Sequence, residues 1–268
     1  MRKLSLVFLL LLGACSPRVE VTSEASGFDP AVAAAENWAV GPVVLDSRLQ
    51  LDGVAELEVR NLGGNWAGLS EQYAEMPFFA LLEQRPEMNL APYTAVAGNV
   101  DPVLLDGLAR PLSRGEKVSP AVLEAIGERM PDTHYLVTAI IKETRISTRT
   151  TTPDMETFPL RKDEKGLPAE EHRTRAASVT RWATVRLMIF DLYLGHSVWE
   201  GESEGRRDEL YNWKRSPEDP GVKVEREGED PVRIDLEGSP LRAPSLERAL
   251  KPAFNSLAKT LLPTLKKD

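Results

Sequence analysis

The sequence predicts an α/β (α+β) domain: a mixed β-sheet with a long-looped central hairpin, flanked by helices and closed by a carboxyl-terminal amphipathic helix. Three stretches predict it. Residues 178–202 (SVTRWATVRLMIFDLYLGHSVWEGE) read as two strands joined by a tight turn at Gly195. Residues 134–146 (HYLVTAIIKETRI) carry apolar side chains at both parities, the mark of a strand covered on both faces. Residues 244–263 place Leu246, Ala249, Leu250, Ala253, Phe254, Leu257, Ala258 and Leu261 at steps of three and four, which is one face of a helix.

Within the hairpin, Val179, Ala183, Val185, Leu187 and Ile189 share one parity, and Thr180, Trp182, Thr184, Arg186, Met188 and Phe190 the other. The early part of the second set is polar, so it meets water or a thin cover. The later part is apolar, so something packs over it. The returning arm, 197–203, carries Val198 and Trp199 and is expected to end there. Trp199 reads first as core and secondly as a stacking surface.

Going along the chain, residues 38–45 (WAVGPVVL) form a strand, and in 53–61 helix and strand compete. Residues 69–84 are helical, with Tyr73, Met76, Phe79, Ala80 and Leu82 buried and Pro77 opening a new first turn. Residues 93–100 are expected as a short strand. Asp101-Pro102 and Ser119-Pro120 each open a helix, with a loop at 111–117 between them. A weak edge strand is expected at 232–236, and Pro252 should kink or break the last helix.

The amino terminus carries an address. Met1-Arg2-Lys3 is a positive region, residues 4–12 are apolar but too short to span a bilayer, and Leu12-Gly13-Ala14-Cys15 follows. This closely resembles a bacterial lipoprotein signal, in which the cysteine takes a diacylglyceryl thioether and palmitate-type acyl chains. Cys15 is the one cysteine of the chain, so no disulfide forms within it. Two or three acyl chains anchor durably, because each buried CH₂ contributes ~0.8 kcal/mol. Ser16 follows Cys15. By resemblance to sorting in Gram-negative bacteria, the absence of Asp there implies the outer membrane, with the body on its periplasmic face. The organisation expected is a signal peptide at 1–14, a lipidated Cys15 and flexible tether at 15–36, and one domain at 37–265 with long loops at 148–175 and 204–242.

Chemistry is sparse. Net charge is −8, and −10 without Arg2 and Lys3, which argues against nucleic acid as a partner. His134, His172 and His196 stand in no zinc-binding spacing, so no metal is expected. GxSxG, GxGxxG and GxxxxGK[ST] are absent, so no serine nucleophile or nucleotide cofactor is expected. The many carboxylates leave a glycosidase-type pair open, though a solvated surface explains them more simply.

Asp132-Thr133-His134-Tyr135-Leu136-Val137, then Val185-Arg186-Leu187-Met188-Ile189-Phe190-Asp191, Gly195 and Val198-Trp199-Glu200-Gly201, followed by a closing helix, resemble periplasmic lipoprotein domains related to the curli secretion lipoprotein CsgG and the TolB amino-terminal domain. The match covers residues 131–201 and, loosely, the last helix; a residue that is commonly Gly is Thr138 or Ala139 here. The resemblance implies a non-enzymatic accessory or assembly subunit that works through contacts with other envelope proteins or with itself. The alternative is a lipid- or small-molecule-binding lipoprotein with a cleft lined by Trp182, Phe190 and Trp199.

Overall fold

A computed structural model describes residues 18–51, 53–150, 174–214, 222–226, 232–234 and 243–263. Two compact units emerge. Unit 1 holds the described residues up to Arg145, Trp182–Arg206 and those from Leu246 on; unit 2 holds those of Ile146–Arg181 and Arg207–Ser245.

Unit 1 is a mixed, open sheet between helices. Its strands are β1 (Val19–Glu24), β2 (Asn37–Leu45), β3 (Asn89–Ala91) and the unit 1 parts of β4 (Tyr135–Thr150), β5 (Thr174–Asp191) and β6 (His196–Lys214). The order is β3-β2-β4-β5-β6, with β1 beyond β6. The β2 strand runs parallel to β3 and β4, whereas β1 is antiparallel to β6. The expected fold class stands.

The helices are α1 (Pro30–Ala33), α2 (Gly53–Asn61), α3 (Trp66–Tyr73), α4 (Glu75–Gln84), α5 (Tyr93–Asn99), α6 (Pro102–Arg114), α7 (Pro120–Arg129) and α8 (Leu246–Leu261). On one face of the sheet, α8 joins residues of α2, α3 and α4 over Val40, Val137, Ile141, Val185, Leu187 and Trp199. On the other, α5, α6 and α7 cover Ala39, Val44, Leu136, Ile140 and Phe190. The parity reading of β5 holds for Trp182, Thr184 and Arg186, which stay half-buried, and for Phe190, which is covered, whereas Thr180 of the same set is buried.

Pro42 lies inside a central strand, where a missing N–H would break the ladder. The chain bulges there, the register with β4 shifting between Val40 and Val43. Ser70 of α3 repairs the gap: its hydroxyl accepts from the Val43 amide at 2.9 Å.

Several expectations change. Residues 19–24, expected in the tether, form β1, while 30–33, within the stretch 30–36 where the sequence allows a helical turn, form α1. An exposed edge strand is held by backbone pairing and needs no apolar period, so it left no pattern to read. Residues 93–99 of the strand expected at 93–100 are helix instead: Pro92 stands at the N-cap, and Tyr93 and Val96 are buried one turn apart. The α6 helix passes through Pro111 and stops at Gly115, whose φ of 68° lets its N–H bond back to Leu112. Phe79 is exposed, because the restart of the helix at Glu75 turns Pro77, Ala80 and Leu81 inward instead. The arm at 197–203 continues to Lys214.

The described residues of the stretch expected as one domain, 37–265, are divided between the two units. In unit 2, β7 (Val222–Arg226) pairs antiparallel with both β6 and β8 (Val232–Ile234). Of the loops expected at 148–175 and 204–242, residues 148–150, 174–175, 204–214, 222–226 and 232–234 are strand; the rest lies outside the described residues, as does Cys15.

Candidate functional site

The hairpin turn at the end of β5 gathers the histidine and the acids that sequence reading left apart. Asp191, the last residue of β5, is buried, and its Oδ1 accepts from the amides of Tyr193 and Leu194, both at 2.9 Å. Its carbonyl accepts from the Gly195 amide at 2.9 Å. Gly195 has a φ of 68°, the left-handed conformation that closes the turn. Asp191 and Gly195, two of the residues carrying the family resemblance, thus build one turn.

The other oxygen of Asp191, Oδ2, faces His134 Nε2 at 3.2 Å, while Glu36 Oε2 lies 3.6 Å from Nδ1. The imidazole stacks on Tyr135, centroids 4.2 Å apart, and Tyr193 meets it edge-on at 4.7 Å. Burial, then the charges of Asp191 and Glu36, raise the Tyr135 pKa above the ordinary phenol value. A neutral imidazole donates from one nitrogen only, so it serves one carboxylate at a time. This cluster ties β4, the β5–β6 turn and the segment before β2 together. Tyr193 and Leu194 stand 65% and 63% exposed at its tip.

A second polar locus lies on the half-covered face of β4, β5 and β6. Lys142 Nζ bonds Glu202 Oε1 at 2.7 Å, and Arg186 Nε reaches the same oxygen at 2.7 Å. Burial pushes Glu202 up, but the bonds from Lys142 and Arg186 outweigh it and hold the carboxyl below its ordinary value. Further along, Arg145 Nη2 bonds Glu204 Oε2 at 2.8 Å. The Arg145 guanidinium lies 4.8 Å from the Trp182 ring centre, and that of Arg206 lies 5.7 Å from it.

The three aromatic residues expected to line one cleft do not meet. Trp182 lies between arginines on the half-covered face, Trp199 is in the core under α8, and Phe190 is in the opposite core under α6 and α7. Trp182 and Phe190 share a face of β5 but stand eight residues apart along it, and Trp199 belongs to the other core. His134, Asp191 and Glu36 were missed because they stand in different segments; the signal available was the Asp at a strand end four residues before a glycine. Arg181 was missed too. It shares parity with Val179 and Ala183 and is wholly buried in unit 2, its Nη1 donating to the Pro244 carbonyl at 2.8 Å. Among the described residues, no group of three or more His, Cys, Asp or Glu side chains could hold a metal ion, and no helix is long and apolar enough to cross a membrane.

Acid should weaken unit 1 through two carboxylates. The side chain of Arg48 clasps Asp46 at 2.9 and 2.6 Å and lowers its pKa from 3.8 to about 2. A depressed pKa adds stability above the unfolded value and loses it as pH falls toward the folded one. Urea unfolding should therefore show a loss of about 1 kcal/mol from Asp46 between about pH 4 and pH 2, since water around the exposed Arg48 screens the pair. In Asp46→Asn that part of the slope should vanish; an unchanged slope would refute it.

No family model matches the chain, and no curated protein matches it. Among solved structures, it is similar to the hypothetical protein CT253 from Chlamydia trachomatis, at 13% identity over 65% of this chain and 73% of that one, TM-score 0.32. It is also similar to PelC from Paraburkholderia phytofirmans, described as a dodecamer, at 12% identity over 70% and 80%, TM-score 0.30. A third is the lipoprotein GNA1162 from Neisseria meningitidis, at 12% identity over 65% and 83%, TM-score 0.29.

Proposed function

We propose that the chain is a membrane-anchored envelope lipoprotein, acylated at Cys15, that acts as a non-enzymatic accessory or assembly subunit through protein contacts. The observation that carries this is the Leu12-Gly13-Ala14-Cys15 junction behind a positive and an apolar stretch, with the lone cysteine at the modified position. The His134–Asp191 pair fits the reading as an architectural element, since the same carboxylate organises the turn beneath it. Ser16 after the cysteine favours the outer membrane and its periplasmic face. The likeness of residues 131–201 to the CsgG and TolB amino-terminal domains belongs to the same proposal.

Metabolic labelling with a palmitate analogue, followed by fractionation of intact cells, tests the anchor. The wild type is expected to carry label and sediment with membranes; Cys15→Ser is expected to lose the label and most membrane retention. A labelled Cys15→Ser protein, or an unlabelled wild type, would refute it. Cross-linking in intact cells tests the partners, expected to be specific envelope proteins or a second copy.

A further inference from the structure

The register of β1 fixes how far the folded sheet can stand from an anchor at Cys15. Val19 is already paired with Ser203 of β6, and the pairing runs on to Glu24 beside Trp199. Ser16, Pro17 and Arg18 alone separate Cys15 from that first paired residue. A fully extended chain gains at most ~3.6 Å per residue, so no more than roughly 15 Å of chain can separate Cys15 from the sheet edge at Val19. Of the tether expected at 15–36, residues 19–24 and 30–33 are taken up by β1 and α1.

At that level stands a surface suited to lipid phosphates. Arg206 lies three residues beyond Ser203 on the same strand, about 10 Å along it. Arg145 of β4, 53% exposed, lies against the same Trp182 ring as Arg206. Arginine presents a fork of donors that matches phosphate, and Arg145 uses one of them on Glu204. Tryptophan is the side chain that settles at the headgroup level, apolar ring and polar N–H together. The other end of unit 1 is unsuited: Asp191 and Glu36 flank His134 at the turn, some seven residues back along β6.

Resting on the lipoprotein reading above, we propose that β1 straps the β6 edge of unit 1 to the bilayer and that Arg145 and Arg206, flanking Trp182, bind the phosphates of anionic lipid headgroups there. The contact orients the body, with the Tyr193–Leu194 tip held away from the surface.

The full lipidated chain, reconstituted into vesicles that carry a headgroup-linked quencher, tests this. Thr22→Cys and Leu194→Cys each add one free thiol for a fluorophore, the sulfur of Cys15 being occupied. In phosphatidylethanolamine–phosphatidylglycerol vesicles the label at position 22 is expected to be quenched and the label at 194 spared. In phosphatidylcholine vesicles, or at high salt, much of that quenching should be lost. Arg145→Gln with Arg206→Gln should lose the phosphatidylglycerol-dependent part, and Arg145→Lys with Arg206→Lys should keep it, which separates lost charge from lost fold. A long Gly-Ser insertion after Pro17 should abolish the difference between the two labels. Equal quenching at both positions, or quenching indifferent to phosphatidylglycerol and to the arginines, overturns the headgroup contact while leaving the anchor standing. Self-quenching between labelled copies that the arginine substitutions remove overturns it in favour of a second copy at this surface. Wild-type protein that carries no lipid and is not captured by vesicles overturns the anchor, and the strap with it.

Discussion

Phe254→Ala is expected to lower stability by about 3–5 kcal/mol, the range for removing a large buried aromatic without collapse of the space it leaves. Phe254 stands midway along α8, 1% exposed, between Leu250 and Leu257 on the face that packs against the sheet. Every residue of that face from Leu246 to Leu261 is buried, so no neighbour is free to swing in and fill the void. Urea unfolding, followed by far-ultraviolet circular dichroism, reads the change. Lys251→Ala, on the exposed side of the same helix, should shift the midpoint by less than about 0.5 kcal/mol. Equal effects at the two positions would mean that α8 is not a core element.

Gly205→Ala is expected to cost about 3 kcal/mol, although it adds a single methyl group to a strand. A Cβ at Gly205 would lie 2.0 Å from the carbonyl oxygen of Ala249 and 3.0 Å from the amide nitrogen of Ala253. Both are backbone atoms of α8, so no side-chain rotation relieves the overlap; the helix must lift off β6. The approach falls beside Pro252, whose ring would also come within 3.1 Å. Gly98→Ala supplies the contrast. It meets nothing within 4 Å and lies in α5, so it should be neutral or gain up to about 1 kcal/mol through reduced unfolded-state freedom. Thermal midpoints of the two variants side by side decide the matter: a Gly205→Ala protein as stable as the wild type would show that β6 and α8 do not touch there.

What the sequence disclosed follows from where side chains enter water. The β4 strand, the second half of β5 and α8 were legible because burial forces an apolar period on their residues: both faces of 135–141, the shift from Arg186 to Phe190, the stripe from Leu246 to Leu261. The β1 strand and the distal arm of β6 were opaque for the opposite reason. The β1 side chains are mostly exposed, and beyond Gly205 the residues Arg206, Arg207, Asp208 and Leu210 are exposed or half-buried. Such strands are held by main-chain bonds that any sequence can make. The α5 helix was misread because a seven-residue helix and a short strand both suit a brief apolar run. The polar clusters were legible least of all. Their members come from segments far apart, His134 with Asp191 and Lys142 with Glu202, and nothing in the composition of either segment announces its counterpart.

The edge formed by β1 has a consequence for the order of assembly. Thr22 bonds to the carbonyl of Glu200, 178 residues later in the chain. During synthesis the first strand emerges long before its template exists, so it waits unpaired while the centre of the sheet forms from nearer neighbours. Closing so wide a loop is among the slowest steps available to a chain of this size. The segment made first is therefore the last to be seated. A nascent protein halted before residue 203 would present an amino terminus still open to proteases, and its protection from digestion would mark the moment at which folding ends.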